Sequence, residues 1–192
     1  NDNSAVYINN IDFTDISVCD IMRIAIVSVS DKGRELALKL KDKLDDDSTI
    51  IRTDIYHKNI KKHLKIAFSE YDAVVAIMAS GILIRSIAPY IQSKTTDPAV
   101  VNIDDNGNFA ISTLSGHLGG ANKLANKIAE LIGATPVITT STDVNKKLGI
   151  DVLANDLYLS IDDTSEILFF NNAILEGREI TFTVNSEKNF DY

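Results

Sequence analysis

Ala73-Val74-Val75-Ala76-Ile77-Met78, followed at once by Ala79-Ser80-Gly81, is the stretch that decides the fold. An unbroken apolar run of this length, rich in β-branched residues, reads as a strand buried on both faces, which belongs at the centre of a parallel sheet. The small-residue turn feeds Ile82 to Tyr90, a helical pattern that Pro89 ends. In open α/β sheets the turn after such a strand is where ligands bind, and the free N–H groups that open the helix favour an anion.

Upstream, Arg23 to Val29 predicts a second buried strand, and Ser30 and Asp31 offer caps for a helix over Gly33 to Leu44, with Leu36, Leu40 and Leu44 on one face. Ser30-Asp31-Lys32-Gly33 carries neither G-x-G-x-x-G nor the P-loop lysine, so it is not read as a nucleotide site. Asp45-Asp46-Asp47 reads as a solvated turn and Ile50-Ile51 as the start of a short strand. Asn59 to Glu70 is helical, with Ile60, Leu64, Ala67 and Phe68 inward and Lys58, Lys61, Lys62 and Lys65 outward. His57 and His63 border it and show no partner in the sequence, so they read as surface histidines.

Downstream, Asp97-Pro98 marks a turn. Val100 to Ile103 and Phe109 to Thr113 flank Asn106-Gly107, the strongest short hairpin signal, with Asp104 and Asp105 as tip solvation. The hairpin leads into Leu114-Ser115-Gly116-His117-Leu118-Gly119-Gly120-Ala121-Asn122, where three glycines stand within five positions. Such a concentration implies positive φ or close approach of backbone to another group. A helix over Ala121 to Ile132 is closed by Gly133, and Pro136-Val137-Ile138 is a strand that ends in Thr139-Thr140-Ser141-Thr142-Asp143. The expected fold is α/β: a three-layer α/β/α domain with a mainly parallel central sheet, one antiparallel hairpin and at least four helices.

The 192 residues carry a formal charge of −8, unevenly spread. Residues 1–22 hold −4 and 144–192 hold −5, whereas 23–78 hold +2 and 79–123 are neutral. That balance argues against a nucleic-acid partner. It leaves the centre of the chain open to a small anion. No apolar run is long enough for a membrane span, and a single cysteine, Cys19, excludes an internal disulfide and fits the cytoplasm. No helix start or basic neighbour activates Cys19. We expect a leader or extension over 1–22, an α/β domain over 23–143 and the start of a further region over 144–192, where a helix near Glu166 to Leu175 and a strand near Ile180 to Val184 are visible.

No nucleophile triad is spelled out, since G-x-S-x-G is absent, and the three histidines show no metal-ligand spacing. The residues alone indicate strand ends that gather small, hydroxyl and amide groups around Arg85, Lys94 and His117. Arg85 suits either a carboxylate ligand or a stem laid over apolar neighbours. The hydroxyls at Thr139 to Thr142 suit either a ligand or a helix cap.

Four linked motifs carry a resemblance. Ala79-Ser80-Gly81-Ile82 with Arg85-Ser86-Ile87-Ala88-Pro89, Lys94-Thr95-Thr96-Asp97-Pro98-Ala99-Val100, Ser115-Gly116-His117-Leu118-Gly119-Gly120-Ala121-Asn122, and Val137-Ile138-Thr139-Thr140-Ser141-Thr142-Asp143 resemble, in order and spacing, the CbiG family of cobalamin biosynthesis. The segment from Asp151 resembles the beginning of that family's middle region; the family's C-terminal domain has no counterpart in these residues. The resemblance implies cobalt-precorrin-5A hydrolase activity, in which the ring A δ-lactone of a cobalt corrinoid opens and the C20 bridge leaves as acetaldehyde. A corrinoid-binding module that needs the C-terminal domain for chemistry is the alternative.

Lactone opening needs a base and oxyanion donors. His117 is the expected base because an unperturbed imidazole titrates near neutrality, with Asp143 second. Ser80, Gly81, Arg85, Lys94, Thr95, Asp97, Ser115, Gly116, Gly119, Gly120, Asn122, Thr139 and Thr140 are the expected substrate contacts, and Lys123 a further cation for its acetates. The cobalt travels with the substrate, so no protein-bound metal or other cofactor is expected. The cobalt-precorrin and the C-terminal CbiG domain are the expected partners, with a homodimer as a further expectation.

Overall fold

A computed structural model describes residues 6–8, 22–94, 96–117, 119–140, 149–150, 167–178 and 182–184. The chain divides into two compact units, Cys19–Thr140 and a second made of Asn1–Val18 with Ser141–Tyr192. In the second, strand β1 (Val6–Ile8) pairs in parallel with β8 (Phe182–Val184), so part of the expected leader shares a sheet with the C-terminal segment. Helix α5 (Ile167–Leu175) belongs to this unit and buries Ile167 and Phe170 beside Ile150, whose N–H donates to Asn171 Oδ1 at 2.8 Å.

The larger unit is a six-stranded sheet in the order β3-β2-β4-β5-β6-β7, formed by β2 (Met22–Ser28), β3 (Ile50–His57), β4 (Ala73–Ile77), β5 (Ala99–Ile103), β6 (Phe109–Leu114) and β7 (Thr135–Val137). The first four strands are parallel. The Asn106-Gly107 hairpin reverses the chain, so β6 is antiparallel to β5 and β7 runs with β6. Gly107 has φ 71°, as a turn of this kind demands. Asp104 is more than tip solvation: its carboxylate accepts the N–H groups of Asn106 at 2.9 Å and Phe109 at 2.8 Å and closes the turn.

Four helices cover the two faces: α1 (Asp31–Asp45), α2 (Ile60–Glu70), α3 (Ser80–Ile87) and α4 (Ala121–Ile132). Strand alternation decides which helix meets which side chain. Ile24, Ile26, Val75, Ile77, Val101 and Ile103 pack with α1 and α4. Ala25, Val27, Val74, Ala76 and Val100 pack with α2 and α3. The chain moves from β2 outward to β3 and then back across β2 to β4, and parallel crossovers of one hand in opposite directions put α1 and α2 on opposite faces. The three-layer architecture expected from the sequence is therefore present.

The strand after α1 runs eight residues to His57 rather than stopping near Ile51. It lies at the sheet edge, where Arg52, which is exposed, and Asp54, which is half-buried, interrupt the apolar pattern that marks a central strand, while Thr53 between them is buried. The aspartates before it are also not plain solvation. Asp45 pairs with Lys41, and Asp47 holds both Lys127 of α4 and the Thr49 N–H, the latter at 2.8 Å. No helix among the described residues is long and apolar enough to cross a membrane.

Candidate functional site

At the carboxyl ends of β2 and β4 the connections leave in opposite directions, which opens a crevice at the topological switch point. A groove of about 410 Å³ lies there, with Ser30, Ala79, Ser80, Asn102, Asp104 and Ile82 in its walls. Asn102 is the polar residue in an otherwise apolar β5 and is 1% exposed. Its amide donates to the carbonyls of Ala76 at 2.9 Å and Met78 at 2.8 Å, and its Oδ1 accepts the Ser80 hydroxyl at 2.5 Å. One buried side chain thus fixes the end of β4 to the start of α3.

Helix α3 has Ala79 at its N-cap, so no side chain covers its first amides. Side chains on a helix tilt toward its N-terminus, and Arg85 lies one turn below Gly81. A Cβ at Gly81 would stand 3.4 Å from Arg85 Nη1, so the missing side chain leaves room for the guanidinium beside the helix start. Amide donors and Arg85 together make an anion-favouring edge. The other edge is acidic, because Asp104 and Asp105 also line the groove. Ser30 is the expected cap of α1, its Oγ accepting the Gly33 N–H at 2.8 Å.

His57 is not a solitary surface histidine. Its Nε2 stands 3.1 Å from Asp31 Oδ1, and its Nδ1 stands 3.1 Å from Ser28 Oγ. A carboxylate only accepts, so Nε2 carries a proton; in the neutral ring Nδ1 accepts the Ser28 hydroxyl. Ser28 is completely buried, which makes this a structural clasp and not an exposed nucleophile. Lys58 and His57 hold the Asp31 carboxyl below the usual carboxylate range, Lys58 contributing most. His63 also has partners: Nδ1 donates to the Lys58 carbonyl at 2.9 Å, and its ring lies 4.8 Å from that of Tyr56.

The Ser115 loop lies at the other end of the sheet. β6 runs back toward the start of β5, with Leu114 opposite Val100, so the loop that follows Leu114 emerges at the amino ends of the parallel strands. Five residues of β5 separate the two ends by about 16 Å. Ser80, Gly81 and Arg85 therefore occupy one end. Asp97, Ser115, Gly116, His117, Gly119, Gly120, Asn122 and Thr140 occupy the other, with Lys94 and Thr139 exposed on the adjoining segments. Thr95 and Asp143 lie outside the described residues.

The Ser115 loop is built largely by its own hydrogen bonds. Ser115, at φ 56°, donates its hydroxyl to the Asp97 carbonyl at 3.0 Å, and the Asp97 carboxylate accepts the Gln92 N–H at 3.1 and 3.0 Å. The Ser115 and Gly116 carbonyls accept the N–H groups of Ala121 at 3.1 Å and Asn122 at 3.0 Å, so the loop itself caps α4. The Gly120 N–H, at a position expected to contact substrate, is instead given to the His117 carbonyl at 2.9 Å. Asn122 is buried; its Oδ1 accepts the Ser112 hydroxyl at 2.6 Å and its Nδ2 donates to Thr140 Oγ1 at 2.6 Å. His117 is half-buried in the loop these bonds close.

The glycines record how tightly the loop is folded. A Cβ at Gly119 would come within 2.3 Å of Ser115 Cβ and 2.7 Å of the Ser115 carbonyl oxygen, and one at Gly116 within 2.8 Å of Asn122 Oδ1. Asn102 and the His57 clasp are what sequence reasoning missed. A lone asparagine in a buried strand was a visible signal, whereas the partners of His57 lie 26 and 29 residues upstream and left none.

Comparison with known proteins bears on both ends. The family model described as Cobalamin synthesis G N-terminal matches residues 62–143, which contain both groups of residues. The chain is 50% identical over 97 residues to the cobalt-precorrin-5A hydrolase of Salmonella typhimurium, covering 50% of this chain and 28% of that protein. It is 36% identical over 142 residues to the cobalt-precorrin-5A hydrolase of Priestia megaterium, covering 67% of this chain and 37% of that one. The chain thus spans roughly a third of the length of these curated relatives. A solved structure described as a cobalamin biosynthesis protein G homolog from Sulfolobus solfataricus matches with a TM-score of 0.53 and 31% identity, over 90% of this chain and 54% of that one. Residues 62–143 thus carry the N-terminal region of the cobalamin synthesis G family.

Proposed function

We propose that this chain acts in the cytoplasm as the N-terminal part of a cobalt-precorrin-5A hydrolase, opening the ring A δ-lactone with release of the C20 fragment as acetaldehyde to give cobalt-precorrin-5B. The likeness to named hydrolases supports this reading, and the folded His117 loop is the observation that carries it. A glycine-built loop that carries an imidazole at the same end of the sheet as the Thr139 and Thr140 hydroxyls suits water activation better than packing alone. His117 takes a proton from water, whose oxygen adds to the lactone carbonyl. The Gly119 N–H and the Thr139 and Thr140 hydroxyls donate to the oxyanion; Thr140 accepts from Asn122, so its own proton remains available. Collapse breaks the acyl–oxygen bond and leaves a C20 alkoxide; as that C–O becomes the carbonyl of acetaldehyde, the bond from C20 to the macrocycle breaks, and the macrocycle keeps the electron pair and takes the proton from His117. Asp143 is the second choice for base.

At the far end of the sheet, Arg85 and the amides of Ser80 and Gly81 bind a peripheral carboxylate, and Lys94 and Lys123 serve others. The cobalt is carried by the substrate. A second reading, a corrinoid-binding module that needs a further domain for chemistry, is favoured by the bonds already committed inside the loop by Ser115, Gly120 and Asn122. Incubating cobalt-precorrin-5A with this chain and with a version of the relatives' full length, then assaying acetaldehyde, separates the two. Release by both supports the catalytic reading; release by the longer protein alone supports the binding module; release by neither removes the hydrolase reading.

A further inference from the structure

Asn122, the second residue of α4, is 7% exposed, although asparagine is mostly a surface residue. Burying a primary amide is unfavourable unless its oxygen and its NH2 group both find partners. Both do. The Ser112 hydroxyl on β6 donates to Oδ1 at 2.6 Å, and Nδ2 donates to Thr140 Oγ1, beyond the end of β7, at 2.6 Å. One amide thus links a strand, a helix start and the segment after the next strand in a single chain of hydrogen bonds.

The loop around this amide is shaped to hold it. The Asn122 N–H is fixed by the Gly116 carbonyl at 3.0 Å, and a Cβ at Gly116 would stand 2.8 Å from Oδ1, so the missing side chain makes room for the amide oxygen. The resulting chain has a direction. A hydroxyl carries one proton and can also accept, whereas an amide NH2 only donates. Because Thr140 accepts from Nδ2, its own proton points away from Asn122. Thr140 is half-buried and lies at the same end of the sheet as His117.

Resting on the hydrolase reading, we propose that Asn122 is a positioning residue: it meets no substrate atom and instead sets Thr140 as a hydrogen-bond donor toward the oxyanion. This replaces the expectation from the sequence that Asn122 contacts the substrate directly. Ser112 and Gly116 act through the same amide, the first by bonding Oδ1 and the second by leaving space for it. The chemistry at stake is polarity rather than shape. A group of the same size that accepts where the amide donates would capture the Thr140 proton and leave the oxyanion one donor short.

Asn122→Asp is the discriminating change, since it keeps the outline of the side chain and turns the NH2 donor into a second acceptor. In a version of the relatives' full length, single-turnover release of acetaldehyde from saturating cobalt-precorrin-5A should fall about a hundredfold, the scale of losing one oxyanion donor. Thr140→Val should lose the same factor, and Thr140→Ser, which keeps the hydroxyl, should recover most of it. Asn122→Asp/Thr140→Val should be no slower than either single variant, because both remove the same proton. Losses that multiply in the double variant, or an Asn122→Asp protein that works at the wild-type rate, overturn the positioning role and leave the hydrolase reading standing. A wild type that releases no acetaldehyde overturns that reading and the positioning role with it. The direction of the bond is read without turnover, by NMR of the Asn122 side-chain amide in this chain. Thr140→Val should speed exchange of an Nδ2 proton with water several-fold, and Ser112→Ala should change it less. The reverse order would mean that the amide donates to Ser112, and it overturns the proposal even where Asn122→Asp does not fold.

Discussion

Gly119→Ala should destabilise the Cys19–Thr140 unit far more than an ordinary glycine substitution. The φ of Gly119 lies outside the left-handed region, so alanine brings no backbone penalty there and the whole effect is steric. The added Cβ would meet Ser115 Cβ at 2.3 Å and the Ser115 carbonyl oxygen at 2.7 Å, neither of which is the end of a flexible side chain. The loop must open, which strains or breaks the capping bonds from Ala121 to Ser115 and from Asn122 to Gly116. Overpacking costs about 1–3 kcal/mol and each lost bond about 1 kcal/mol, so we expect about 3 kcal/mol in total. For a chain of this size that lowers Tm by about 6–12 °C. Gly133→Ala calibrates the effect: at φ 72° with nothing within 4 Å of its Cβ, it pays only the left-handed strain of about 1 kcal/mol. The assay is urea unfolding followed by far-UV circular dichroism on wild type and both variants. A Gly119→Ala protein no less stable than Gly133→Ala would refute the closed loop.

Asn102→Ala should cost about 2–4 kcal/mol in the same unfolding assay, because it strips the Ala76 and Met78 carbonyls and the Ser80 hydroxyl of a buried partner. Asp47 titrates below the usual carboxylate range because of Lys127 first and Thr49 second. Its folded value is thus below its unfolded one, so its contribution is complete above about pH 4 and fades as pH falls further; Asp47→Asn should flatten that acid limb in stability measured against pH. Arg85→Gln should weaken substrate affinity by about 1.5–3 kcal/mol if the guanidinium meets a carboxylate, read as a rise in KM with little change in kcat.

The architecture was legible because its signals are local. The unbroken run from Ala73 to Met78, the Asn106-Gly107 turn and Gly133 at the end of α4 each state one element's identity within a few residues, and all three occupy the expected places. The edge strand β3 was half legible, since Arg52, Thr53 and Asp54 break its apolar run after Ile51. The arrangement of the site was not legible. The same hairpin that was easy to recognise also reverses the chain, and that reversal sends the Ser115 loop to the end of the sheet opposite Ser80, Gly81 and Arg85. Likewise the hydroxyl, amide and carboxylate pattern of Asp97, Ser115 and Asn122 reads as ligand chemistry in one dimension. In three dimensions much of it is spent on holding the loop together.

The most direct test of the central claim compares wild type with His117→Ala, both in a version of the relatives' full length, by single-turnover release of acetaldehyde from saturating cobalt-precorrin-5A. A positioned general base contributes about 10²–10⁴-fold, so the account predicts a loss of at least about a hundredfold with a modest change in substrate affinity. Undiminished release by His117→Ala, or none by the wild type, would contradict it.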